Sequence, residues 1–116
     1  MTHAEKKIAK IIEELTMYFF AVGAKKIQSG IEITDGLAVI RFSADYDPEN
    51  RYRLDKLEEY FNEPKNEGIE DCYWELAGSG DPGESSQLIL LGMMVDKAEI
   101  QMGETEVSMV LYRELD

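Results

Sequence analysis

The feature that most constrains this chain is a change of hydrophobic period at Gly23. Before Gly23, apolar residues recur at steps of three and four, the spacing of one helical face: Ile8, Ile11, Ile12, Leu15, Phe19 and Val22. After it, apolar and polar residues alternate, as they do in a strand that buries one side. The chain therefore contains at least one amphipathic helix that is followed directly by a sheet.

The first pattern predicts a helix over residues 3–22. Thr2 and Glu5 have the spacing of a capping box, in which each side chain bonds to the backbone of the other residue. Gly23 marks the end, because glycine adopts the left-handed conformation that terminates helices.

The second pattern predicts a hairpin with strands over about residues 26–34 and 37–43. An Asp35-Gly36 dipeptide between two alternating runs is a strong hairpin signal. Gly30, inside the first strand, is a candidate bulge.

The middle of the chain has helical stripes and a glycine-rich loop. Asp47 is placed to cap a helix that has Pro48 at its first position, where no amide donor is needed. Short helices are predicted along three apolar stretches: Leu54–Phe61, Ile69–Leu76 and Ser86–Met94. The alternating residues from Val95 to Leu111 predict a closing hairpin that turns at Gly103-Glu104.

The order of these elements predicts an α+β fold. Two hairpins cannot bury their inner faces alone, so we expect a two-layer sandwich: a four-stranded mixed sheet with the helices on one face. The expected order is helix, strand, strand, two or three short helices, strand, strand. With 116 residues and no repeat or low-complexity linker, residues 1–116 form a single domain.

Composition excludes several classes of function. There are 24 acidic and 12 basic residues, and the resulting charge of −12 disfavours nucleic-acid binding, which needs a basic face. No apolar run approaches the roughly 20 residues that span a bilayer. Cys72 is the single cysteine, so no intramolecular disulfide forms, and we expect a cytoplasmic protein.

The charge is concentrated in the middle of the chain. Residues 1–29 contain five lysines and three glutamates, a sum of +2, whereas residues 44–84 contain 13 acids and four bases, a sum of −9. A solvated acidic face is the favoured interpretation, and a docking surface for a basic partner is the alternative.

Two apparent motifs have structural interpretations. Gly78, Gly80 and Gly83 fit the spacing G-x-G-x-x-G, but a dinucleotide site needs a strand just before it, and here a helical stripe precedes it. Cys72 lies on that stripe beside Glu70 and Asp71, and acidic neighbours do not activate a thiol. We interpret it as a core residue.

Two stretches resemble a known family. EELTMYFFAVGAKKIQSGIEITDGLAVIRFSAD runs from a glutamate-bearing helix into a hairpin, and LILLGMMVDKAEIQMGETEVSMVLY joins a helix to a terminal hairpin. The arrangement resembles the histidine-kinase-like ATPase (GHKL, Bergerat) fold, and most closely its small bacterial members, the anti-sigma-factor serine kinases.

The resemblance implies a nucleotide site with several departures. Glu14 matches the glutamate that orients water, but Tyr18 stands where the family has an asparagine that holds magnesium. Asp45 matches the aspartate that accepts from adenine, without the glycines that follow it in the family. Gly83 corresponds to the first glycine of the phosphate-binding turn.

These departures lead to a main hypothesis and two alternatives. The main one is a degenerate, non-catalytic regulator that binds a sigma-factor-like or other protein partner, with weak or lost ATP binding and no cofactor. The first alternative is an active ATP- and Mg-dependent serine kinase with Glu14 as its catalytic residue. The second is binding of a different small molecule in the remaining cleft. The resemblance also implies a possible homodimer.

Overall fold

The computed structural model describes residues 1–55, 57, 61, 91, 92 and 94–115. Helix α1 spans His3–Ala21 and begins with the predicted capping box. The Glu5 amide donates to Thr2 Oγ1 at 3.0 Å, and the Thr2 amide donates to the Glu5 carboxylate at 2.8 Å. These contacts with Thr2 lower the pKa of Glu5.

The helix ends one residue earlier than predicted, with Val22 as the C-cap. Gly23 follows with φ of +92°, as expected of a glycine that terminates a helix. Its amide donates to the Phe20 carbonyl at 3.1 Å, which satisfies one of the last carbonyls of the helix.

The predicted first hairpin is confirmed. Strand β1 spans Ile27–Thr34 and strand β2 spans Leu37–Asp45, two residues longer than predicted. Asp35 and Gly36 both have positive φ, 51° and 76°, as a two-residue type I′ turn requires.

The predicted bulge at Gly30 is wrong. Gly30 pairs with Arg41 inside a continuous register that runs from Ile27 opposite Ala44 to Thr34 opposite Leu37. Every residue of β1 has a partner, so no extra residue is inserted in the strand.

The sheet is antiparallel throughout, which corrects the prediction of a mixed sheet. Strands β3 (Lys97–Met102) and β4 (Glu106–Glu114) form the closing hairpin, turning at the predicted Gly103-Glu104. The strand order is β1-β2-β4-β3, and β2 pairs antiparallel with β4. In a mixed sheet, the two hairpins would meet through parallel strands. Here they meet through β2 and β4, which run antiparallel.

The core lies between α1 and one face of the sheet. Alternate residues of the two central strands are buried and face the apolar stripe of α1, and the Phe19 and Phe42 rings lie 5.2 Å apart between their centroids. The sheet residues that form this inner face are Ala38, Ile40, Phe42, Ala44, Val107, Met109 and Leu111. The α+β, two-layer prediction is therefore confirmed for α1 and the sheet.

The segment after β2 begins as predicted. Asp47 Oδ1 accepts from the Glu49 amide at 3.0 Å and caps a 3-10 turn over Pro48–Asn50, which leads into helix α2 over Arg51–Leu54. The apolar residues Leu54, Leu57 and Phe61 are buried.

The described order is thus α1-β1-β2-α2-β3-β4, and it differs from the expected one, which has two or three helices after β2. Leu91 and Met94, at the end of the third predicted stretch, are helical and buried. The predictions over Ile69–Leu76 and over the glycine-rich loop at 78–83 lie outside the described residues, as do Cys72 and Gly83.

Candidate functional site

The candidate site is built on the flank of α1 that carries Glu14 and Tyr18. These residues are four positions apart, so the helix places them one above the other on one side. Both side chains are buried next to the apolar stripe. The structure therefore brings these two predicted residues together.

Glu14 is a buried carboxylate, and Lys10 Nζ lies 2.8 Å from its Oε1. Its Oε2 is also buried, and no described residue forms a hydrogen bond with it. A buried polar atom without a partner costs free energy, so it calls for an explanation in a functional or structural role.

Lys10 neutralises Glu14 from the more exposed side of the helix. Its ammonium also lies 3.6 Å from Glu13, whose side chain is 58% exposed. The hydrogen bond to Glu14 raises the pKa of Lys10, since a nearby carboxylate favours the charged ammonium. Within the described part of the chain, the carboxylate is therefore paired at one oxygen and able to accept a hydrogen bond at the other.

Tyr18 connects α1 to α2. Its hydroxyl donates to the backbone carbonyl of Arg53 at 2.6 Å, across 35 positions of sequence. Its ring also makes an edge-on contact with Phe19, with 5.8 Å between the centroids. Tyr18 thus packs in the core and donates its hydroxyl proton to the backbone. A neutral phenol oxygen is also a poor magnesium ligand.

Asp45 stabilises the connection between α1 and β1. Its Oδ1 accepts from the Lys25 amide at 2.8 Å and the Lys26 amide at 2.9 Å. These two hydrogen bonds, that of Lys26 first, hold the pKa of Asp45 below its ordinary value because they favour the charged form.

The structure does not bring Asp45 together with Glu14 and Tyr18. Successive side chains of a strand point to opposite faces, and Ala44 is buried on the inner face with α1. Asp45 therefore lies on the outer face, where it lines a cavity of about 100 Å³ with Lys26, Gln28 and Ser43. Gly83 lies outside the described residues.

Two partners in the site were missed by sequence analysis. Lys10 was detectable, because Lys10 and Glu14 have the i,i+4 spacing of helical ion pairs. The Arg53 carbonyl was not, because a backbone acceptor has no signature in the sequence and its contact with Tyr18 depends on tertiary packing.

A second cavity lies at the start of α1, away from Glu14. It has a volume of about 470 Å³ and is lined by residues that include His3, Lys7, Ile33 and Arg113. Arg113 also donates to the Met94 carbonyl at 2.7 Å, so it connects β4 to the helical residues before β3. The capping box already occupies this end of the helix.

The described part of the chain contains neither a metal-binding cluster nor a membrane-spanning helix. Among those residues, no three His, Cys, Asp or Glu side chains are grouped closely enough to hold a metal ion. Among the same residues, no helix combines the length and the apolar character needed to cross a membrane. No protein-family model, curated protein or solved structure matches this chain.

Proposed function

We propose that this chain is a non-catalytic regulatory domain of the histidine-kinase-like ATPase fold, which acts by binding a protein partner and binds ATP weakly or not at all. The observation that carries the proposal is the hydrogen bond from Tyr18 to the Arg53 carbonyl. It supports the proposal because Tyr18, which the resemblance aligns with the family's magnesium-binding asparagine, is buried and already donates its hydroxyl proton to the backbone.

Two features of the described residues support weak or lost Mg-ATP binding. Asp45, the expected adenine acceptor, faces the outer side of the sheet and is bonded to two backbone amides. The chain carries a charge of −12, and a nucleotide adds several negative charges. Repulsion between close like charges at a protein surface is on the order of 1 kcal/mol or more for each pair.

The partner follows from the resemblance to anti-sigma-factor serine kinases. It is a cytoplasmic regulator, such as a sigma factor or a kinase, that binds a surface of the folded domain. This part of the proposal does not involve nucleotide chemistry, because it concerns a surface of the domain whose core is formed by side chains of α1 and the sheet.

Calorimetric titration of the whole chain with ATP and Mg²⁺ tests the loss of nucleotide binding. We expect no magnesium-dependent heat at millimolar ATP. Micromolar affinity that requires Mg²⁺ would contradict the proposal.

Affinity purification of the tagged chain, followed by titration with each purified candidate, tests the partner. We expect one regulator to bind with one-to-one stoichiometry, with the same affinity in the presence and absence of ATP. Binding that appears only with ATP would contradict a nucleotide-independent regulator.

One observation favours an active serine kinase as the second candidate. Glu14 Oε2 is buried and has no hydrogen-bond partner among the described residues, so it can accept a hydrogen bond from the hydroxyl of a protein substrate. Under this alternative, Glu14→Gln abolishes phosphate transfer to a protein partner, whereas Glu13→Gln, an exposed neighbour on the same helix, leaves it intact. The absence of any nucleotide-dependent rise in melting temperature would contradict it.

A further inference from the structure

β1 is an edge strand of the sheet that the described residues form. The order β1-β2-β4-β3 gives β1 one hydrogen-bonded neighbour among the described residues. The Asp45 amide donates to the Lys26 carbonyl at 3.2 Å, so the backbone groups of the even-numbered residues face β2. The groups of Ile27, Ser29, Ile31 and Ile33 therefore point away from the sheet.

β1 itself carries little of the usual protection against strand pairing. Exposed edges are ordinarily blocked by proline, by bulges or by several charged residues. β1 is eight residues long and in continuous register, and within it only Glu32 is charged. β3, the other edge, is six residues long, carries Lys97 and Glu99, and has half-buried inner side chains.

The inner side of β1 carries two exposed isoleucines. Ile31 lies opposite the buried Ile40, yet its side chain is 49% exposed, and Ile33, opposite Ala38, is 50% exposed. Four of the six large apolar residues that are exposed among those described belong to α1 and β1: Met17, Phe20, Ile31 and Ile33. An apolar edge of this kind is typical of a surface that binds another chain.

The sequence of β1 is complementary to itself. If Ser29 faces Ser29 of a second copy in an antiparallel pair, Ile27 lies opposite Ile31, and Lys26 lies opposite Glu32, on both sides of the centre. The three pairs Ser29–Ser29, Ile27–Ile31 and Ile31–Ile27 are all formed by residues with outward backbone groups, as antiparallel hydrogen bonding requires. Placing the centre at Gly30 or Ile31 instead loses the opposition of Lys26 and Glu32.

We propose that β1 pairs antiparallel with β1 of a second copy of this chain, with Ser29 on the two-fold axis, so that two four-stranded sheets become one. A two-fold interface uses the same patch twice and so requires self-complementarity, which this strand has in charge, apolar contact and hydrogen-bond direction. This inference is independent of the proposed loss of nucleotide binding.

Charge reversal across the strand pair tests the register. Sedimentation equilibrium of the whole chain measures the dimer dissociation constant, which we expect at roughly 1–100 µM for a modest interface. Lys26→Glu and Glu32→Lys should each raise it about tenfold, because each turns two attractive pairs into repulsive ones. The double variant should restore it to within about threefold of the natural value.

The matched control separates register from net charge. Lys25→Glu makes the same charge change one position away, without facing Glu32, and should leave the dissociation constant within about threefold. The two single variants also change net charge in opposite directions, so general repulsion does not explain a loss in both. Circular dichroism of each variant verifies that the hairpin is folded.

Three outcomes would overturn the proposal. They are a monomer at 1 mM chain, a dimer that is insensitive to both charge reversals, and growth beyond the dimer. Hydrogen exchange provides a second measurement: the amides of Ile27, Ser29 and Ile31 should become protected as concentration rises, and those of Gln28 and Gly30, which face β2, should not change. Equal change in both sets would also contradict the proposed edge.

Discussion

Glu14 is a residue whose burial opposes the stability of the fold. Its Oε2 is buried without a hydrogen bond to any described residue, and Lys10 contacts only Oε1. Buried ion pairs contribute little net stability, because removing two charges from water offsets their attraction, whereas removing one partner leaves an uncompensated charge. The two members of this pair should therefore respond differently to mutation.

We predict that Glu14→Leu leaves the free energy of unfolding unchanged or raises it by about 1 kcal/mol, and that Lys10→Met lowers it by about 2–3 kcal/mol. Urea denaturation measures both values. Glu13→Leu is the control, since its carboxylate is 58% exposed, and it should change stability by less than about 0.5 kcal/mol. A large loss in Glu14→Leu would show that the buried carboxylate supports the fold.

Tyr18 has a structural function through a single hydroxyl. We predict that Tyr18→Phe lowers the free energy of unfolding by about 1 kcal/mol, because the Arg53 carbonyl loses its donor and the ring keeps its packing. Tyr112→Phe removes a hydroxyl from a longer, exposed contact with Glu99 at 3.4 Å, and should change stability by less than about 0.5 kcal/mol. Equal losses in both variants would contradict a specific role for the bond to Arg53.

Asp45 makes stability depend on pH. Its folded-state pKa is depressed, so its contribution is fully present above the unfolded value of about 3.9 and is lost as pH falls through the folded pKa. We predict that Asp45→Asn is less stable than the natural chain at pH 7, and that the difference shrinks below about pH 3.9.

Chemical denaturation from pH 7 to pH 2.5 measures this difference. Asp35→Asn is the control, because it makes the same change at an exposed turn position where asparagine tolerates positive φ equally well. A difference between Asp45→Asn and the natural chain that is constant over this range would mean that the carboxylate charge does not matter.

At the scale of elements, the junction between α1 and β1 is constrained by the backbone and the surroundings of one glycine. Gly23 has φ of +92°, and a Cβ added there would lie 2.9 Å from the Asp47 Cβ. We predict that Gly23→Ala lowers the free energy of unfolding by about 1–3 kcal/mol through backbone strain and this clash.

Gly30 is the matched control for Gly23. A Cβ there has no atom within 4 Å, and the residue lies inside a regular strand. Gly30→Ala should be neutral or raise stability by up to about 1 kcal/mol, because it reduces the freedom of the unfolded chain. Thermal unfolding of both variants compares them, and similar losses would contradict the conformational argument.

Elements with local signals could be predicted from sequence. The capping box at Thr2, the glycine at position 23 and the Asp35-Gly36 turn depend on residues a few positions apart, and all three are present. The pairing of β2 with β4 joins segments more than 60 positions apart, so their direction had no local signal. The bulge predicted at Gly30 was wrong because glycine permits a bulge and does not require one.

The candidate site was predictable to the same limited extent. Glu14 and Tyr18 share a helix, so their proximity followed from spacing. The position of Asp45 on the outer face depends on which residues of β2 are buried, and β2 extends two residues past its predicted end. The family resemblance that grouped Glu14, Tyr18 and Asp45 contained no information about which residues of β2 face the core.

At the scale of the whole molecule, charge is the dominant long-range feature. Acidic residues outnumber basic ones by 24 to 12, so repulsive pairs exceed attractive ones when the chain is compact. The exposed ion pairs, such as Arg41 with Glu32 at 3.4 Å, contribute little against this excess. Unfolding separates the charges, so self-repulsion favours the unfolded state.

Salt should therefore stabilise this protein. The Debye length falls from about 30 Å at 0.01 M salt, longer than the 13.5 Å radius of gyration, to about 8 Å at 0.15 M. We predict that the free energy of unfolding rises by about 1 kcal/mol or more between 0.01 and 0.3 M KCl, with most of the gain below 0.15 M. Urea denaturation at submicromolar chain, below the expected dimer dissociation constant, measures the monomer.

Variants of different net charge identify the cause of the salt effect. Lys25→Glu makes the chain more acidic and should steepen the dependence, whereas Glu106→Lys makes it less acidic and should flatten it. Glu106 lies opposite Asp45 in the sheet, so its reversal also replaces a like-charge pair with an attractive one and should raise stability most at low salt. If stability falls with KCl, or if the two variants have the same slope, attraction between specific pairs outweighs the net charge.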